Sequence, residues 1–210
     1  THSLSFDGVD DYVELQPINL SAGNTLTFST NLWIDSFTGF DIILRQGVDP
    51  DWLLQLNNSG TEIQCQIGTT SGWDNGVQVE ISPDQFINTW NNISATYDGD
   101  IIKVYLNGEE IGNSTKSGTV DFNNSVNLYF GGGFSGHWLN GKLDNIGIWN
   151  TALSQEEIQS YMTTSPTGSE SGLVGYWNFN EGEGSTLTDQ TSNGNNGTIV
   201  GATWSDDVPA

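Results

Sequence analysis

The side chains able to do chemistry in this chain are carboxylates, amides and indoles. Its 210 residues include 26 Asp or Glu and eight Trp, but four Lys or Arg, two His and one Cys. A nucleophilic triad needs a base beside an activated hydroxyl or thiol. With only His2 and His137, and no Gly-x-Ser-x-Gly turn, that arrangement lacks support. No His/Cys spacing matches a zinc site. Glu181-Gly182-Glu183 would set two carboxylates on one side of a strand, near the separation that glycosidases use. Its glycines mark a turn instead. Gly131-Gly132-Gly133 has no following helix pattern and no Lys-Ser/Thr, so it reads as a close backbone approach rather than a phosphate loop.

Sugar recognition is the chemistry these residue types suit. A pyranose needs an aromatic plate for its C–H face and planar amides or carboxylates for its hydroxyls. Trp52, Trp73 and Trp138 stand at loops or strand ends. Trp73, in Gly-Trp-Asp-Asn-Gly, is bracketed by turn residues and has Asp74 and Asn75 beside it. Trp138, next to His137, is the second platform. Arg45 and the amides Gln55, Gln64, Gln66 and Gln78 would bond hydroxyls from a sheet face turned away from the core. An ordinary solvated face would look the same. Calcium takes the same oxygen donors. Asp189-x-Thr191-x-Asn193 has a ligand-like spacing, yet it lacks a terminal bidentate Glu and reads as an Asx-type turn.

The formal charge of −22 removes whole classes of partner. Nucleic acid needs clustered Lys and Arg to displace counterions, and none exist here. Sulfated glycans and anionic lipid are disfavoured on the same ground. No apolar run approaches a membrane span, and Thr1-His2-Ser3 does not open a signal peptide. The expectation is an excised, monomeric piece of a larger multidomain protein, secreted or at the cell surface. Cys65 alternates with Ile63 and Ile67 and reads as a buried, inert thiol.

The elements that must position these residues are strands. Ile93, Ala95 and Tyr97 alternate with polar neighbours, Asp98-Gly99 turns the chain, and Ile102, Val104 and Leu106 alternate again before Asn107-Gly108. Strands are predicted over 4–15, 25–34, 41–45, 52–57 and 62–68, and through Val77–Ile81 and Val126–Phe130. Residues 112–121 are predicted as a loop. Ser154-x-x-Glu157 is a capping box opening one short helix near Gln155–Met162, followed by a connector over 163–172. The fold class is all-β: a two-sheet antiparallel sandwich with one helix.

The wording of these strands is more specific than their pattern. Trp90-x-x-Ile-x-Ala-Thr-Tyr-Asp-Gly99 with Val104-Tyr-Leu-Asn-Gly108 resembles the central meander of laminin-G-like, concanavalin A-like jelly rolls. Leu4–Val13 resembles their opening strand, Leu26–Ser29 with Trp33 the second, and Asn140–Asn150 the closing strand. The resemblance implies a jelly roll in which Trp33, Trp90, Trp149 and Trp177 are packing residues. It also implies a structural calcium joining the first and closing strands, with Asp7 and Asp144 at the matching acidic positions. The family's glucanases carry Glu-x-Asp-x-x-Glu, and no such string occurs here. Leu173–Gly182 and Asp189–Thr198 resemble a strand and loop that precede the opening strand in many relatives, yet here they follow it. Either a second repeat begins, or 173–204 completes a single 1–210 domain as a permuted strand segment. Completion is preferred, because a severed repeat would expose Trp177, Phe179, Ile199 and Trp204. The function implied is a non-catalytic, calcium-bearing carbohydrate-binding module of an exported bacterial polysaccharide-degrading enzyme or surface protein. A calcium-dependent protein-binding or adhesion domain is the alternative.

Overall fold

The computed structural model describes residues 1–18, 20, 24–46, 52–57, 60–72, 76–121, 125–134 and 136–209. The first strands are β1 (Ser3–Asp7), β2 (Tyr12–Leu15), β3 (Leu26–Ile34), β4 (Asp41–Gln46), β5 (Trp52–Asn57), β6 (Glu62–Ile67) and β7 (Val77–Glu80). The meander supplies β8 (Asn91–Tyr97), β9 (Ile101–Leu106) and β10 (Glu109–Thr115), followed by β11 (Leu128–Phe130) and β12 (Asn140–Trp149). After helix α1 (Gln155–Thr163) come β13 (Leu173–Trp177), β14 (Thr186–Leu187), β15 (Gly197–Val200) and β16 (Thr203–Ser205). They form two antiparallel sheets. The first has the order β10-β9-β8-β3-β12-β1-β16, with β13 also on β12. The second has the order β14-β15-β2-β11-β4-β5-β6-β7.

Strand β12 has ten residues and shares one edge between two partners. Asn140–Leu143 pair with β1 and Ile146–Trp149 with β13, while β3 takes the other edge. The C-terminal strands enter both sheets: β16 pairs with β1, and β15 pairs with β2. The loop from β14 to β15 is fixed by Asp189, whose carboxylate accepts from the backbone N–H of Tyr176, Thr191 and Asn195 and from the Thr191 hydroxyl. Four donors saturate that carboxylate as an Asx-type turn, as the sequence suggested.

Large rings fill the space between the sheets. Trp52 meets Phe28 edge-on at 5.8 Å, Phe28 lies 6.5 Å from Phe130, and Phe130 meets Trp177 at 5.2 Å. All four are fully buried, as is Cys65, whose thiol is pushed up to about 12 by burial. Helix α1 packs outside the first sheet, over a separate cluster of Tyr105, Trp149, Leu153 and Tyr176. Its capping box is formed: Glu157 N–H donates to Ser154 Oγ at 3.2 Å, and Ser154 N–H to Glu157 Oε2 at 2.8 Å.

Several expectations need correcting. Residues 4–15 are not one strand, because Gly8 (φ 79°) turns the chain and sends β1 and β2 into different sheets. Residues 112–115 belong to β10, a polar edge strand with little apolar alternation to reveal it. Trp52 is core, not a loop platform. Trp33 stands opposite Lys142 and faces outward, tilted against half-buried Trp90 at 5.9 Å. Trp149 is buried, but under α1 rather than between the sheets.

Asp41 secures the 35–40 turn. It is fully buried on the core side of β4, and Thr38 N–H reaches its carboxylate at 3.2 Å. Burial outweighs these donors and pushes its pKa up to about 6. The unfolded carboxyl titrates near 4, so the folded state holds the proton more tightly. That contribution is full below about pH 4 and is lost as pH rises through 6. Relative to Asp41→Asn, the wild type should therefore lose about 1–1.5 kcal/mol of stability between pH 5 and 7 in urea titrations. A pH-independent difference would contradict the assignment. Trp177→Ala should cost about 3–5 kcal/mol by leaving a cavity beside Phe130, read as a shift of the urea midpoint.

Candidate functional site

Residues directly opposed across an antiparallel pair share a face. Leu44, Leu54 and Cys65 point into the core, so their neighbours Arg45, Leu53 and Gln66 point away from it. The registers join these into one row across five strands: Glu14, Tyr129, Arg45, Leu53 and Gln66. At strand spacing the row spans about 19 Å. A second row holds Gln55, Gln64 and Gln78, followed by Asn57 opposite Glu62.

These polar groups bond first to one another. Gln55 Nε2 donates to Gln64 Oε1 at 2.9 Å and to Asn57 Oδ1 at 2.5 Å. Asn57 Nδ2 donates to Gln64 Oε1 at 2.6 Å, and Gln78 Nε2 donates to Glu62 Oε1 at 3.0 Å. Glu14 Oε1 accepts from Asn127 Nδ2 at 2.7 Å and from the Tyr129 hydroxyl at 3.0 Å. Gln55, Asn57 and Gln64 are thereby buried, and Gln55 Oε1 has no donor among the described residues. Half-buried Gln66 and exposed Gln78 carry the amides that a ligand can reach from the expected stripe.

Residues 131–134 and 136–139 fold against one end of this face. A Cβ on Gly132 would lie 2.4 Å from the Trp138 ring, and one on Gly133 2.4 Å from Tyr129. Glycine is what allows both approaches. Trp138 stacks on Tyr12 with centroids 6.2 Å apart. His137 stacks on Phe40 at 4.7 Å and meets Phe134 edge-on at 5.2 Å. Phe134 in turn lies 4.3 Å from the Arg45 guanidinium. Burial, then the Arg45 charge, lowers the His137 pKa. The structure thus brings Arg45, His137 and Trp138 to the same face as Gln66. Trp73, Asp74 and Asn75 lie outside the described residues. Their neighbours Gly72 and Gly76 stand at the end of the sheet where β6 finishes, whereas Trp138 follows β11 at the other end.

Sequence reading missed Tyr12, Tyr129, Phe40 and Phe134. Alternation could have found the tyrosines, since Tyr129 separates the core residues Leu128 and Phe130, and Tyr12 precedes core Val13. Nothing local marks Phe40 or Phe134, which are placed by tertiary packing.

All four cations are committed within the fold. Arg45 lies under Phe134. Lys116 Nζ donates to Gly72 O at 2.7 Å. Lys142 reaches Asp207 at 3.1 Å and sits over Trp33. Lys103 pairs with Glu110 at 3.2 Å. No basic patch remains.

The two expected calcium ligands are separated. Asp7 pairs with Asn140, four residues before Asp144 on β12, which puts the two about 13 Å apart along the ladder. Asp7 instead clusters with Asp10 and Asp11, their carboxylate oxygens within 4.8 Å of one another. Burial raises the Asp11 pKa, against the Asp7 N–H that donates to it at 2.9 Å. Asp144 is 4% exposed, and burial pushes its pKa up to about 7 against the backbone N–H and Nδ2 of Asn145, which donate at 2.7 and 3.1 Å. Asn145, Asn178 and Asn180 border the same cavity. Buried carboxylate with neighbouring amide oxygens is a donor set that fits a hard cation such as calcium. Glu181 and Glu183 form no acid pair on a strand. Glu181 Oε1 accepts from Thr188 N–H at 2.8 Å, and Glu183 is exposed between Gly182 (φ 68°) and Gly184 (φ 81°).

Known proteins share this architecture. A laminin-G-type family model, described as the Concanavalin A-like lectin/glucanases superfamily, matches residues 7–159. Mouse pappalysin-1 is 32% identical over 79 residues, 36% of this chain and 5% of its own length. A Bacteroides ovatus structure described as a "putative carbohydrate binding protein" superposes with TM-score 0.79 at 21% identity, covering 100% of this chain and 61% of that one. Domain 4 of an extracellular arabinanase from Geobacillus stearothermophilus, solved with arabinotriose, superposes with TM-score 0.59 at 19% identity, covering 75% of each chain. Among the described residues, no helix is long and apolar enough to cross a membrane.

Proposed function

The chain belongs to the Concanavalin A-like lectin/glucanases superfamily, and from that premise we propose that it is a non-catalytic carbohydrate-binding module, 1–210 acting as one unit. The observation that carries this reading is the outer face of the second sheet. There Tyr129, Arg45 and Gln66 stand in one row, with Trp138 and Tyr12 at its rim. Amides and hydroxyls already held by hydrogen bonds lose little freedom on meeting a ligand. Tyr129, Gln66 and Gln78 would bond sugar hydroxyls, Arg45, 5% exposed under Phe134, would form the floor beneath them, and Trp138 would cover a ring. The arabinotriose bound to the arabinanase domain supports a glycan ligand.

The absence of catalysis is argued from the carboxyls. A glycosidase acid needs a raised pKa at the scissile bond. Among the described residues, the carboxyls with raised values lie off this face: Asp41 toward the core, Asp11 in the turn before β2, and Asp144 on the first sheet. The module would hold a linked polysaccharide-degrading enzyme or surface protein on its polymer outside a bacterial cell, raising the local concentration of substrate.

A glycan array followed by titration tests this. Neutral oligosaccharides should bind, Gln66→Ala should weaken binding about fivefold, and Trp138→Ala about tenfold. Binding unchanged in both variants would discard the face, and no bound glycan would discard the function. We also propose a structural calcium at Asp144, with Asn145, Asn178 and Asn180 nearby. An ion binding only the folded form at ~100 Kd adds about 3 kcal/mol, which raises the melting temperature by roughly 5–10 °C. Calcium added after chelation should produce that rise in wild type and not in Asp144→Asn. An equal response, or none in wild type, would remove the ion from this position.

A further inference from the structure

A second polar recess lies on the far side of the sandwich. On the outer face of the first sheet, Asn31 of β3 stands opposite Asn92, and Ser29 stands between Ser94 and Gly147. Gly147 contributes no side chain to this floor. Helix α1 and the chain that follows it roof the floor with Tyr161, Met162 and Pro166, and the rings of Trp149 and Tyr176 close the sides. The result is a cleft of neutral amides, hydroxyls and aromatic rings, with Asp144 lining only the adjoining cavity.

Hydrogen bonds fix these groups before any ligand arrives. Asn92 Nδ2 donates to Asn31 Oδ1 at 3.2 Å and to Ser29 Oγ at 3.3 Å, and Ser94 Oγ lies 2.8 Å from Ser29 Oγ. On the other wall the Tyr176 hydroxyl donates to Asn145 Oδ1 at 2.7 Å. One donor is left over: Trp149 Nε1 has no acceptor among the described residues, although its residue is 1% exposed. A buried N–H without an acceptor is costly and is relieved by an incoming oxygen.

The size of the cleft selects what enters. The cleft offers ≈ 40 Å³ to water-sized groups, room for about two or three of them. It shares Asn145, Ser165, Pro166 and Tyr176 with a shallower cavity of ≈ 160 Å³. Two or three hydroxyls could sink while the ring that bears them rests at the mouth.

We infer that this cleft is a second saccharide site, taking the hydroxymethyl or adjacent hydroxyls of one neutral sugar unit. Its ligand class rests on the carbohydrate-binding reading, but its position does not. Sites on opposite faces make the module bivalent, able to bridge two polymer strands or grip one strand twice. The test is a titration of the ¹⁵N-labelled chain with glucose, galactose, arabinose and N-acetylglucosamine in turn, following backbone, amide and indole resonances. At least one sugar should shift the Trp149 indole and the Asn92 side-chain amide. Asn31→Leu should weaken that response about fivefold, the effect of one lost hydrogen bond, and leave the Tyr129 and Gln66 responses unchanged. Ser165→Leu provides the same readout if Asn31→Leu does not fold. Shifts confined to Tyr129, Gln66 and Trp138 would overturn the second site and leave the carbohydrate function standing. No shift with any sugar would overturn both.

Discussion

The structure depends on a column of four rings that alternate between the sheets. Trp52 comes from β5 of the second sheet, Phe28 from β3 of the first, Phe130 from β11 of the second, and Trp177 from β13 of the first. Edge-to-face pairs of this kind add about 0.5–1.5 kcal/mol each beyond the area they bury. Their larger effect is positional. Side chains alternate along a strand, so a ring locked inward locks its neighbours outward. Phe130 thereby aims Tyr129, and Trp52 aims Leu53, into the row that also holds Arg45 and Gln66. The last ring arrives from the C-terminal segment, so that Trp177 ties the outer face, through Phe130, to a strand 47 positions later in the sequence.

Charge is organised around the same constraint. With four cations against 26 acids, the chain has few positive groups to spend on its surface. Each is used where it also packs: Arg45 on Phe134, Lys142 on Trp33, Lys116 on the carbonyl of Gly72, and Lys103 on Glu110. The remaining surface is acidic and repels polyanions. What it offers a partner is neutral hydrogen bonding and aromatic area, which is what a polyol requires. The cost of burying acids is visible in Asp41 and Asp144, whose protons are held toward neutral pH.

Much of this was legible from the residues alone, and the gaps have physical causes. The meander could be read because each strand has one buried face and a two-residue turn. The capping box could be read because its residues are local. The three glycines after Phe130 were read as a close approach, and Trp138 and Tyr129 are what they approach. Asp7–Asp11 misled because a sharp turn within an apolar run leaves the alternation intact on both sides. Family wording marks Trp33 and Trp90 as packing residues, and they do pack on each other, but on the outer side of β3 beside Lys142. Trp52 has the opposite history, since a strand-end position says nothing of which face a ring takes. The glutamines were placed on the correct face, but their mutual burial is a cross-strand property that no single strand encodes.

The central claim is that the outer row of the second sheet holds an intact saccharide chain. A crystal structure of the protein with an oligosaccharide of three or more units tests it most directly. The account predicts sugar density running along Tyr129, Arg45 and Gln66 with every glycosidic bond unbroken. Density that avoids this row, or a chain cleaved at a pair of carboxyls, would contradict it.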